Sequence, residues 1–109
     1  MSREIPVVRF SGEVDIVRAP AMREELMNAV DNRHEGLVVD LTGANYLDSA
    51  GVNVLFEVAE ELREHQLAMA LVIPPNSLVE KVVTIVDLDS VAPVKLDVES
   101  AREHIRKVG

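Results

Sequence analysis

Asp48-Ser49-Ala50-Gly51 is the segment of this 109-residue chain with the clearest chemical potential. It follows a short apolar run, Leu37-Val38-Val39-Asp40-Leu41, and opens a strongly patterned helix predicted from about Ser49 to Glu64. A serine at a strand-to-helix junction holds its hydroxyl beside backbone N–H groups that have no partner within the helix. A phosphate placed there would be held by those donors and by the positive end of the helix dipole. The acidic neighbour Asp48 and the glycine two residues on suit a site approached by another protein. Ser49 therefore reads as a switch residue in a binding module.

Each of these residues also has a purely structural explanation. Asp48 and Ser49 are both good helix N-caps. Ser49, however, is followed three residues later by Val52, so no capping box forms. Gly51 sits in the first turn at a cost of roughly 1 kcal/mol relative to alanine, which points to close approach by a backbone or a phosphate. Asp15 either ends a strand by bonding to a nearby N–H or takes part in binding. Tyr46 is expected to pack with its hydroxyl at the rim.

Catalysis fails on its parts. A serine nucleophile needs an oriented base, and His34, His65 and His104 are tied to Ser49 by no motif. Neither a Gly-x-Ser-x-Gly elbow nor a Gly-x-x-x-x-Gly-Lys-Ser/Thr loop occurs. Scattered histidines without cysteine give no metal-ligand cluster. The expectation is no enzyme, no cofactor and no metal.

The elements that must position Ser49 follow from periodicity. Ile5 to Phe10 reads as a strand ending at Ser11-Gly12. Pro20 opens a helix whose apolar face is Met22, Leu26, Ala29 and Val30, ending near Asp31. Gly36 precedes the Leu37–Leu41 strand, whose continuous apolar character predicts burial on both faces. Leu67 to Ile73 is a further buried strand, stopped by Pro74-Pro75. A short helix is predicted from Ser77 to Val86, with Glu80 in capping-box spacing. Val94-Lys95-Leu96 is a short peripheral strand, and Asp97 caps a last helix to about Lys107. The βαβαβαβα order predicts one α/β domain over residues 1–109, with a small mixed sheet of about four strands and about four helices.

Within the Ser49 helix, Val52, Leu55, Phe56, Ala59 and Leu62 fall on one stripe at 100° per residue. Glu57, Glu60, Glu61 and Glu64 lie on the solvated side. Val54 points away from the core stripe, one turn beyond Ala50, with Val58 on its flank. Val58 suits contact with a neighbouring helix. Val54 suits an apolar contact with a partner at least as well as burial against a neighbouring helix, and the expected docking surface is Asp15, Asp48, Ser49, Ala50, Gly51 and Val54.

Bulk composition narrows the partners. A formal net charge of −8 opposes nucleic acid and anionic membrane, which select for clustered Lys and Arg, and favours a partner with a basic surface. Aliphatic side chains must build the core, since the only aromatic residues are one Tyr and two Phe. No apolar run spans a bilayer and Met1-Ser2-Arg3-Glu4 lacks a signal-peptide core, so the expected location is the cytoplasm.

These residues carry a family resemblance. The chain resembles the anti-anti-sigma factors, single STAS domains that bind anti-sigma factors in bacterial partner switching. The matching pieces are Phe10-Ser11-Gly12-Glu13-Val14-Asp15, Ala19-Pro20 opening a helix, Leu37 to Leu41, and Tyr46-Leu47-Asp48-Ser49-Ala50-Gly51. Ile73-Pro74-Pro75-Asn76-Ser77 followed by Val82 to Leu88 matches as well. The resemblance implies that Ser49 is phosphorylated by the anti-sigma factor, itself an ATP-dependent serine kinase, and that a serine phosphatase reverses this. It implies that Asp15 lies close to the phosphoserine. Family members usually carry a strand before the Gly-Glu-x-Asp strand, whereas here only Met1 to Glu4 precede it. An edge left unpaired would be a site for a weak homodimer. Arg18 stands where a capping Ser or Asn is common, and Gly51-Val52-Asn53 replaces the usual Gly-Leu-Gly. The alternative is a STAS scaffold subunit of a transporter-accessory or stress-signalling complex, with Ser49 never phosphorylated.

Overall fold

The structure is a computed structural model that describes residues 5–30 and 34–108. In chain order its elements are β1 (Val7–Val14), α1 (Ala19–Ala29), β2 (Gly36–Leu47), α2 (Ser49–Glu64) and β3 (Ala68–Val72), followed by α3 (Leu78–Ile85), a 3-10 turn (Leu88–Ser90), β4 (Val94–Lys95) and α4 (Val98–Val108). The strands pair in the order β1-β2-β3-β4, and every pair is parallel. The α/β class and the element count match the expectation, but among the described residues the four strands form a parallel sheet where a mixed one was expected. Each connection passes through a helix, and a helix returns the chain to the end at which the previous strand began.

Sequential parallel strands joined by right-handed crossovers place their connecting helices on one side of the sheet. Accordingly Met22 and Leu26 of α1, Val52, Leu55 and Leu62 of α2, and Val79 and Val83 of α3 share one core with Val39, Leu41 and Leu71. The last helix covers the other face, where Ala101 and Ile105 pack with Val38, Ala70 and Val72. Burial on both faces explains why β2 and β3 read as unbroken apolar runs.

β1 and β2 run further than their apolar patterns indicate. β1 continues through Gly12, at φ +75°, to Val14. β2 extends six residues past Leu41 to Leu47, and its register against β1 shifts between Arg9 and Ser11 and again between Gly12 and Glu13. These bulges convert the strand's alternation into a three-residue repeat: Leu41, Ala44 and Leu47 are buried while Thr42, Gly43, Asn45 and Tyr46 are exposed. Tyr46 accordingly stands 48% exposed, not packed as expected. The extension carries Leu47, and hence Asp48 and Ser49, to the level of Val14.

Smaller caps follow the sequence closely. Ser77 Oγ accepts from the Glu80 N–H at 3.1 Å, and Glu80 Oε1 accepts from the Asn76 N–H at 2.7 Å, a box closed one residue early. Asp97 Oδ1 accepts from the Ser100 N–H at 2.7 Å at the start of α4. α1 begins one residue before Pro20 and ends at Ala29; the expected end near Asp31 lies outside the described residues.

Asp40 is the one buried charged residue among those described. Its carboxylate receives Arg9 Nε at 2.9 Å, the Thr42 N–H at 2.9 Å and the Thr42 hydroxyl at 2.7 Å. Burial raises its pKa, but the Thr42 hydrogen bonds and the Arg9 guanidinium outweigh that and leave it below the usual carboxylate value. A carboxyl held down in this way contributes stability above its unfolded pKa and loses it as pH falls through the folded value. Asp40→Asn is expected to cost about 1–3 kcal/mol at neutral pH. The difference from wild type should close below about pH 4, as the carboxyl protonates. Urea melts over a pH series check this, and a pH-independent difference would contradict it.

Candidate functional site

Asp48 is the N-cap of α2, and its two carboxylate oxygens are spent on different elements. Oδ1 accepts from the Gly51 N–H at 3.0 Å and closes the first turn. Oδ2 accepts from the Ile16 N–H at 3.1 Å, in the loop between β1 and α1. The Asp48 N–H in turn donates to the Val14 carbonyl at 3.2 Å. One residue thus joins the end of β1, the following loop and the start of α2.

With Asp48 capping, Ser49 becomes the first residue of the helix and is exposed. Its hydroxyl makes no hydrogen bond among the described residues, so capping does not account for it. Gly51 is buried and closely approached: a Cβ built there would lie 2.7 Å from Leu47 Cδ1, 3.0 Å from Val14 Cγ1 and 3.1 Å from the Val14 carbonyl oxygen. Ala50 is half-buried at the edge of the site.

Asp15 ends β1 with local bonds. Its Oδ1 accepts from the N–H groups of Val17 at 3.1 Å and Arg18 at 3.2 Å, while its carbonyl accepts from Ala19 N–H at 2.9 Å. The structure therefore brings Asp15, Asp48, Ser49 and Ala50 together at the carboxyl end of β1 and β2, where α/β folds place their binding sites.

Arg18 does not cap α1 with its side chain. Instead its guanidinium donates to the Ser11 carbonyl at 2.6 Å and the Glu13 carbonyl at 2.9 Å. It thereby covers two carbonyls of β1, which is an edge strand among the described residues.

Val54 is not at the surface, contrary to the partner contact expected of it. It is 6% exposed and belongs to the main core, as does the fully buried Val58. The cause is α1, which packs alongside α2 and is tied to it by Arg23 Nε and Glu57 Oε2 at 3.1 Å, one turn beyond Val54. A helix flanked by a sheet and a second helix is buried over a wider arc than a single stripe.

The sequence pattern missed Ile16 and Val17, which lie in this loop 72% and 81% exposed. Two β-branched apolar residues between Asp15 and Pro20, in a segment too short for a strand, were the available signal. The histidines lie elsewhere. His65 ends α2, roughly 24 Å from Ser49 at 1.5 Å per residue. His104 is on α4, which packs against the other face of the sheet.

A family model described as STAS domain matches residues 2–101. The anti-sigma-F factor antagonist RsfB of Mycobacterium tuberculosis is 29% identical over 58 residues, which is 53% of this chain and 48% of RsfB. The match thus spans about half the length of that curated relative. The crystal structure of an anti-sigma factor antagonist from Mycobacterium paratuberculosis superposes with a TM-score of 0.81 at 25% identity, over 97% of this chain and 90% of that one. SpoIIAA, an anti-sigma factor antagonist in its unphosphorylated form, gives 0.77 at 21% over 98% and 93%. The STAS domain of a SulP transporter from Vibrio cholerae gives 0.70 at 17% over 93% and 80%, so the fold alone does not assign a role.

Val54→Asp should lower stability by at least about 2 kcal/mol, because it buries an unpaired charge. At an exposed position the same change would cost no more than about 0.5 kcal/mol. Thermal melts distinguish the two, and an unchanged melting temperature would return Val54 to the surface.

Proposed function

The chain belongs to the STAS domain family, and on that premise we propose that it is an anti-sigma factor antagonist switched off by phosphorylation of Ser49. The observation that carries this is the division of labour at the start of α2. Asp48 does the capping, which leaves the adjacent serine exposed and its hydroxyl unbonded. The names of similar proteins supply the partner class, an anti-sigma factor.

In this account the partner is also an ATP-dependent serine kinase. The Ser49 oxygen attacks the γ-phosphorus of ATP, the bond to the leaving ADP breaks, and the hydroxyl proton passes to a base of the kinase. The added group brings about −1.5 to −2 charge at neutral pH. The first-turn N–H groups and the helix dipole favour that charge by roughly 0.3–1 kcal/mol, partly offsetting its repulsion from Asp48. The domain stays folded while its docking end becomes sharply more acidic. A serine phosphatase returns it to the binding state. The chain itself is a cytoplasmic binding module and not a catalyst. Self-association through the β1 edge is secondary, because Arg18 already occupies the carbonyls of Ser11 and Glu13.

Ser49→Ala should bind a purified anti-sigma factor kinase whether or not ATP is present. Ser49→Asp should bind it at least about tenfold more weakly, a change of about 1.4 kcal/mol. Titration calorimetry with both variants tests the reading. Equal binding by Ser49→Asp and wild type would contradict it and favour a scaffold subunit.

A further inference from the structure

The side chains of Ile16 and Val17 are exposed and belong to neither core cluster, yet the backbone that carries them is held at every N–H. Every backbone N–H from Ile16 to Ala19 has a partner: Asp48 Oδ2 for Ile16, Asp15 Oδ1 for Val17, Asp15 Oδ1 and carbonyl for Arg18, and the Asp15 carbonyl for Ala19. The Arg18 side chain then ties the loop back to β1. The loop is thus fixed in advance with two large apolar side chains turned to solvent. A pre-ordered apolar pair avoids the ordering cost that a flexible loop would meet on binding.

We propose that Ile16 and Val17 form the apolar anchor by which this domain docks on its anti-sigma factor, in a socket rimmed by lysine or arginine side chains. This rests on the function proposed above and names the recognition element of the same site. The Asp48 hydrogen bond to the Ile16 N–H links the anchor directly to the residue before Ser49, so a partner seated on Ile16 and Val17 lies against the switch. The charge of the surroundings selects the occupant. The Asp15 and Asp48 carboxylates border the pair, and the cation beside it, Arg18, is turned back onto the β1 carbonyls, in a chain of net charge −8. A second copy would bring the same acids face to face, and an anionic lipid surface would be repelled. A basic rim around an apolar socket satisfies both features, with the apolar contact setting the dissociation rate and the acids the association rate.

Binding of the purified kinase by wild type, Ser49→Asp, Ile16→Asp, Val17→Asp and Ile85→Asp tests this. Ile85 is 82% exposed at the far end of α3 and controls for a mere change of surface charge. Ile16→Asp and Val17→Asp should each bind at least about tenfold more weakly, as expected of central apolar anchors, with unchanged melting temperatures. Ile85→Asp should bind as wild type does. Asp48→Asn, which leaves one acceptor oxygen for two N–H groups, should speed hydrogen exchange at the Ile16 amide. If Ser49→Asp loses binding while Val17→Asp and Ile16→Asp keep it, the anchor is overturned and the switch stands. If Ile85→Asp loses as much, the effect is generic and the anchor is likewise overturned. If wild type binds no anti-sigma factor kinase, both proposals fall.

Discussion

The two oxygens of one carboxylate hold the end of β1, the loop after it and the start of α2 together. Asp48 accepts from the first turn of α2 with one oxygen and from the β1–α1 loop with the other. Its own N–H reaches the end of β1. These elements meet closely enough that a side chain at position 51 would press on Val14 and Leu47. The position of Ser49 at the helix start follows from this, as does its freedom from capping. The geometry is set from below by β2, whose bulged second half brings Leu47 alongside Val14.

The rest of the fold serves as a rigid support for that junction. Core packing on one face fixes α1 and α2 against β1 and β2, while α4 closes the other face over β2 and β3. The Asp40 cluster pins Arg9 of β1 to β2 near the first register shift. Loops at the carboxyl end of the sheet then carry exposed groups on an ordered base, the usual division between scaffold and site.

The sequence shows most of this where local physics decides. Capping chemistry places the starts of α2, α3 and α4, because Asp48, Ser77 and Asp97 each accept from an N–H of the first turn. The continuous apolar runs of β2 and β3 indicate a doubly covered sheet. Long-range arrangement was less legible. The end of β2 escapes a two-residue pattern because bulges impose a repeat of three, and the burial of Val54 depends on where α1 comes to rest. Ile16 and Val17 were missed, because their exposure depends on the bonds that hold the loop.

The measurement closest to the central claim is phosphate mapping. The domain is incubated with a purified anti-sigma factor kinase and ATP, its intact mass is recorded, and the modified residue is located by fragmentation mass spectrometry. This account predicts a single added phosphate, carried by Ser49. Phosphate on Ser77 or Ser90 with Ser49 unmodified, or a domain that binds the kinase and is never phosphorylated, would contradict it.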